Sequence, residues 1–199
     1  MKTPFINLIV VLSVLFSGCK QNTTNGLDPD KSRSFLPPNT GNISELVIVI
    51  PDNLWDGTTG QELKNIFQAN VLGIPQQEAL FDVFAINPTQ FSNIFKTHKN
   101  ILWLTIGKPA AVNRSDSKWA KDQLVVSISS NSVQELTNLV RSKGIEVREW
   151  FLAKDLDRRI KKIAKLSDKE IQKEIFEAYK YNILVPNNFD VILSEQDFV

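Results

Sequence analysis

From Glu45 onward the chain alternates short apolar runs with amphipathic stretches, and turn residues separate them. Leu46–Ile50 is five consecutive apolar residues stopped by Pro51, which predicts a strand buried on both faces. Thr58-x-x-Gln61 and Thr59-x-x-Glu62 each fit a helix-opening capping box, and Leu63, Ile66 and Phe67 follow at helical spacing. Leu80–Ile86 predicts a second strand. Pro88 opens a short helix that places Phe91, Ile94 and Phe95 on one face. Asn100–Ile106 and Gln123–Ser129 predict a third and a fourth strand.

The longest amphipathic segment starts at a further capping box, Ser132-x-x-Glu135. Val133, Leu136, Val140, Val147 and Phe151 hold one helical phase, and Gly144 lies on the same face. A helix ending at Gly144 gives that phase no reason to persist. The pattern therefore predicts one helix over about 132–165, roughly 50 Å long at 1.5 Å per residue. The competing reading stops the helix at Lys143 and makes Ile145–Val147 a strand. Ser167-x-x-Glu170 caps another helix carrying Ile171, Ile175 and Tyr179, and Ile183–Val185 and Phe189–Leu193 flank Pro186-Asn187-Asn188 as a hairpin or bent strand. The order of elements predicts an α+β fold: a mixed β-sheet with helices mainly on one face. No repeat of fixed period is visible.

The amino terminus follows a different pattern. Lys2 precedes an apolar run, Phe5–Phe16, of about 12 residues, too short for a spanning helix of roughly 20. Phe16-Ser17-Gly18-Cys19 resembles the bacterial lipobox, whose cysteine is acylated and becomes the new first residue. Residues 1–18 then form a lipoprotein signal peptide, and Cys19 is the lipidation site. Two or three acyl chains there hold a protein at a membrane where one alone is marginal. Residues 19–43, rich in Asn, Thr, Ser, Pro and Gly, read as a tether with a reach on the order of 25–30 Å. Residues 44–199 form the globular part. Lys20-Gln21-Asn22 lacks an acidic cluster of the surface-export type, so the expected location is the periplasmic face of the outer membrane.

Composition narrows the chemistry. With 23 Lys+Arg against 22 Asp+Glu there is no global field to recruit nucleic acid. One Cys and one His leave no disulfide and no Cys/His zinc site. The reading assigns no cofactor and no metal. The expected partners are the membrane, through the acyl chains, and another envelope protein.

Leu54-Trp55-Asp56-Gly57, Phe95-Lys96-Thr97-His98-Lys99-Asn100, Trp119-Ala120-Lys121, and Val185-Pro186 ahead of Asp197-Phe198-Val199 together resemble the Bacteroidota-type lipoprotein family catalogued as domain of unknown function 4837. The resemblance runs from about Pro37 onward. It implies that the chain corresponds to the amino-terminal part of that family's fold, with a further strand to follow Val199 and an uncovered sheet edge before it. It implies no activity.

Candidate chemistry is sparse. His98 has Ser92, Asp82 and Asp116 as conceivable triad partners, but no Gly-x-Ser-x-Gly elbow presents a nucleophile, and a helix-ending histidine bonded to a last-turn carbonyl is the simpler reading. Asp52, Asp56 and Glu62 suggest acid–base work or a calcium loop, yet Leu54 stands where an EF-hand needs an oxygen ligand. Asp56-Gly57-Thr58-Thr59-Gly60 lacks the Gly-Lys-Ser/Thr of a phosphate loop. Trp103 and Trp150 fall in apolar patterns and read as core, while Trp55 and Trp119 fall in loop-like sequence and read as contact residues. The basic stretch Arg158–Lys165 reads as a solvated helix face braced by Asp155–Arg159 and Asp157–Lys161 pairs. The sequence thus points to a non-enzymatic, lipid-tethered module whose possible binding residues are Trp55, Asp56, Trp119 and His98. A carboxylate-dependent enzyme acting on an envelope polymer is the alternative.

Overall fold

The computed structural model describes residues 35–190 and 192, and within them the chain is α+β. Five strands, β1 (Glu45–Val49), β2 (Asp82–Ile86), β3 (Asn100–Ile106), β4 (Ala111–Asp116) and β5 (Leu124–Ser130), form one sheet in the order β2-β1-β3-β5-β4. All neighbours pair in parallel except β4, which runs antiparallel to β5 at the edge. The β4 strand was not legible as one. Its sequence, Ala-Val-Asn-Arg-Ser-Asp, carries a single large apolar residue, Val112, because an edge strand buries little.

Strand alternation divides the sheet into two unlike faces. Leu46, Ile48, Ile50, Leu102, Leu104, Leu124, Val126 and Ile128 form the main core with the helices. Val47, Val49, Ile86, Ile101 and Val125 point the other way, where Phe91, Phe95, Trp103 and Trp119 cover them. The helices α1 (Asp52–Trp55), α2 (Thr58–Phe67) and α4 (Val133–Lys165) supply the main core's Leu54, Leu63, Phe67, Leu136, Val140, Val147 and Phe151. The opposite face receives a 3₁₀ turn (Pro88–Gln90) and the one-turn helix α3 (Asn93–Lys96).

The single long helix is observed, with Ser132 as its cap: its Oγ accepts from the Glu135 amide at 3.2 Å. Gly144 is buried where α4 crosses α2, against Ile66, which is why the apolar phase continues through it. Phe67, Phe81 and Phe151 meet edge to face near this crossing, with ring centroids 6.1–6.3 Å apart.

Four local expectations are corrected. Neither Thr58 nor Thr59 caps α2, which starts after Gly57 without a side-chain cap. Thr59 is buried instead, 2.8 Å from the Thr137 hydroxyl of α4. The helix α5 (Lys169–Tyr179) is capped not by Ser167 but by Asp168, whose carboxylate accepts from the Glu170 and Ile171 amides. The described residues after Tyr179 form no strand; an isolated bridge joins Ser167 to Pro186. Residues 37–42, read as part of the tether, are stitched to the body: Lys121 N donates to Pro37 O, Thr40 N to Thr97 O, and Lys99 N to Thr40 O. The signal sequence, Cys19 and Asp197-Phe198-Val199 lie outside the described residues.

Candidate functional site

The sheet face opposite the long helices changes character along its strands. Val47, Val49 and Ile101 are covered, but toward the β4 edge the outward positions become Thr105, Ser127 and Ser129 on β3 and β5, with Asn113 and Ser115 on β4. Register aligns them in rows: Trp103, Ser127 and Asn113 stand abreast, as do Ile101, Val125 and Ser115. The result is a groove of about 350 Å³ whose floor is hydroxyl and amide and whose wall is Trp103 and Trp119. Thr105, Asn113, Ser115 and Ser127 have no side-chain hydrogen bond within the described residues, whereas Ser129 Oγ donates to Pro109 O at 2.8 Å.

Two loops complete the groove. The β3–β4 turn carries Lys108, pinned because the Gly107 and Lys108 amides both donate to Ser130 O. The β4–β5 turn carries Lys118 and Trp119. Buried Gln123 positions this second turn. Its Oε1 accepts from the Trp119 amide at 2.9 Å while its Nε2 donates to Lys96 O and His98 O, both at 2.6 Å. Trp119 is thereby fixed 6.5 Å from Trp103, ring to ring, with Phe91 edge-on to Trp103 at 4.8 Å, and Lys118 Nζ lies 4.5 Å above the Trp119 ring.

The other sequence candidates go elsewhere. Trp55 backs onto the main core on the helix side, under Lys64 Nζ at 4.5 Å, so it and Trp119 do not share a site. Asp52 and Asp56 are exposed at the start and the carboxyl end of α1, and Glu62 accepts from Arg141 Nε at 2.8 Å. A cavity of about 180 Å³ beside them, between the first turns of α2 and α4, is lined by none of these three carboxylates. Among the described residues no group of three or more His, Cys, Asp or Glu is arranged to hold a metal ion.

The His98 imidazole does not bond a last-turn carbonyl of α3; only its backbone amide does, donating to Phe95 O. It is buried beyond α3, with Nε2 3.2 Å from Glu45 Oε2 and Nδ1 3.2 Å from Asn100 O, so neither Ser92, Asp82 nor Asp116 is its partner. Burial penalises the Glu45 carboxylate, but the Asn42 backbone and side chain, with His98, outweigh it and hold the group below the usual carboxylate range. The basic stretch is likewise not wholly a solvated face. Arg158 is largely buried, donating to Asp155, Asn100 Oδ1, Lys99 O and Asp122 O at the start of β3 and β5. Asp155 therefore pairs with Arg158 rather than Arg159, while Asp157–Lys161 forms at 2.7 Å. No helix among the described residues is long and apolar enough to cross a membrane.

The groove's polar residues were missed in the sequence, although a signal was present. In Leu124-Val125-Val126-Ser127-Ile128-Ser129 and Leu102-Trp103-Leu104-Thr105 every second residue turns polar partway along, which marks the point where one face leaves the core. Trp103 and Trp150, read as core, are only partly buried. Trp103 lines the groove, and Trp150 faces the Arg114 guanidinium at 6.0 Å.

A family model described as a domain of unknown function (DUF8532) matches residues 39–164, more than half of the chain. It is a different family from the lipoprotein one expected from the sequence, nothing in the match links the two, and its span runs from the stitched segment through the sheet to the end of α4. No curated protein and no solved structure matches the chain.

Proposed function

From a chain that belongs to the DUF8532 family, we propose a lipid-anchored binding module of the cell envelope, non-enzymatic, that presents the Trp-walled groove to another envelope component. The observation that carries the binding reading is the groove itself: four polar side chains without internal partners among the described residues, set beside two tryptophans on a part of the sheet face whose lining includes no helix residue. Such a concave mix of aromatic and unspent polar groups is what a ligand site needs and a purely structural face does not. The anchoring half rests on the sequence, on the apolar run ahead of Ser17-Gly18-Cys19.

The two halves are tested separately. A photoreactive residue at Asn113 is expected to yield a discrete adduct in cells, and one at Asn138, exposed on α4, is not. Equal labelling at both positions would overturn the binding reading. Cys19→Ser is expected to move the protein from salt-washed membranes to the soluble fraction. Retention in the pellet would overturn the lipid anchor.

A further inference from the structure

We infer that the groove's ligand is an anionic oligosaccharide, a sugar chain bearing carboxylate or phosphate groups on more than one ring. This rests on the binding-module reading and names its ligand class.

Charge supplies the first argument. Lys108 and Lys118 rim the groove, no carboxylate lines it, and neither ammonium has an ion-pair partner among the described residues. The chain as a whole is nearly neutral, so this pair is a local feature and not part of a general basic surface. The two lysines come from turns at opposite ends of β4, whose six residues extend roughly 20 Å at about 3.4 Å each. A single small anion meets one of them. A chain with spaced negative charges meets both.

The floor and wall supply the second. Thr105, Ser115 and Ser127 each offer one donor and two acceptor positions, and the Asn113 amide offers both kinds. All four are unspent, so the complementary ligand donates and accepts along its length, as a polyhydroxylated ring does. An apolar ligand would leave them buried without partners. Trp103 and Trp119 meet the C–H face of such a ring, the apolar surface a sugar retains beside its hydroxyls. Lys118, already held over the Trp119 ring at 4.5 Å, stands where a charged substituent on a stacked ring would lie.

An acidic peptide fits less well. Peptides in extended form bind sheets through backbone hydrogen bonds at an edge strand. These unspent groups are side chains on the sheet face, and they present hydroxyls rather than a ladder of N–H and C=O.

The test uses the full chain carrying Cys19→Ser, titrated with pentagalacturonate, maltopentaose and pentaglutamate, with calorimetry and tryptophan fluorescence as readouts. Saturable binding of the acidic sugar is expected, about tenfold or more tighter than the neutral sugar or the peptide, and weaker as salt rises. The Lys108→Ala/Lys118→Ala double variant, whose circular dichroism should be unchanged because both side chains are exposed, is expected to lose about tenfold in affinity. No saturable binding of the acidic sugar, equal or tighter binding of maltopentaose or pentaglutamate, or affinity untouched by the double variant would each overturn the ligand assignment. If the sugar fails while crosslinking from Asn113 still gives its adduct, the ligand class falls and the binding module stands. Loss of both signals overturns both.

Discussion

Glu45 illustrates how much a single side chain gains from its surroundings. Its carboxylate accepts from the Asn42 amide at 2.6 Å and from the Asn42 side chain, and it faces His98 Nε2 at 3.2 Å, so it clasps the stitched segment to the start of β1. Because these partners favour the charged form, its folded-state pKa lies below its unfolded value. The stability it adds is therefore complete above the ordinary glutamate range. It drains away as pH falls through the depressed folded value. Thermal midpoints taken from about pH 6 down to about pH 3 should fall more steeply for the parent than for Glu45→Gln, which has no proton to take up there. Parallel curves would show that the clasp contributes nothing. Arg158 carries the complementary lesson. Its place in the basic stretch Arg158–Lys165 predicts a solvated helix face, yet burial and four acceptors make it a structural residue at the end of the sheet.

Among the elements, α2 is approached closely on two sides through glycines that differ in what they face, by α1 at its own Gly60 and by α4 at Gly144. At Gly60 an added Cβ would fall onto the Trp55 carbonyl, backbone that cannot rotate away, because α1 and α2 are joined by so short a turn. At Gly144 the same atom meets the Cδ1 end of Ile66, which can swing aside. Replacing glycine by alanine within a helix gains roughly 0.5–1 kcal/mol, so Gly144→Ala should come out near neutral to about 2 kcal/mol destabilising. Ser132→Ala removes one capping bond and should cost about 1 kcal/mol. Gly60→Ala should cost most, about 3 kcal/mol or more, because backbone must move. Urea melts of the three variants check the order; a Gly60→Ala protein as stable as Gly144→Ala would mean that α1 shifts freely.

For the molecule as a whole, cohesion is uneven. The main core ends at Phe151 with Leu152 packed beside it, while Leu156, Ile160, Ile163, Leu166 and Phe176 are all more than a third exposed. The family match stops in the same region, at residue 164. Hydrogen exchange should therefore show α5 and the last two turns of α4 exchanging well before β1, β3, β5 and the first five turns of α4. Uniform protection from Val133 to Tyr179 would show that the carboxyl-terminal helices are anchored by more than these contacts.

The sequence by itself determined the elements whose signals are local. The β1 and β3 strands carry the apolar runs Leu46–Val49 and Ile101–Leu104, and the long helix is one apolar phase opened by one capping serine; each was readable because a few neighbouring residues suffice to specify it. Tertiary structure decided what depends on residues far apart in the chain. It made a strand of Ala111–Asp116 by pairing it with β5, gave the capping role at α5 to Asp168, and turned Arg158 inward. It also separated Trp55 from Trp119 and assembled the groove from β3, β4, β5 and two turns. Pairing at an edge, burial of a charge and convergence in a groove are free energies of contacts between distant segments, so a local pattern marks at most where a face leaves the core, as the alternation in β3 and β5 does, and not which segments meet there.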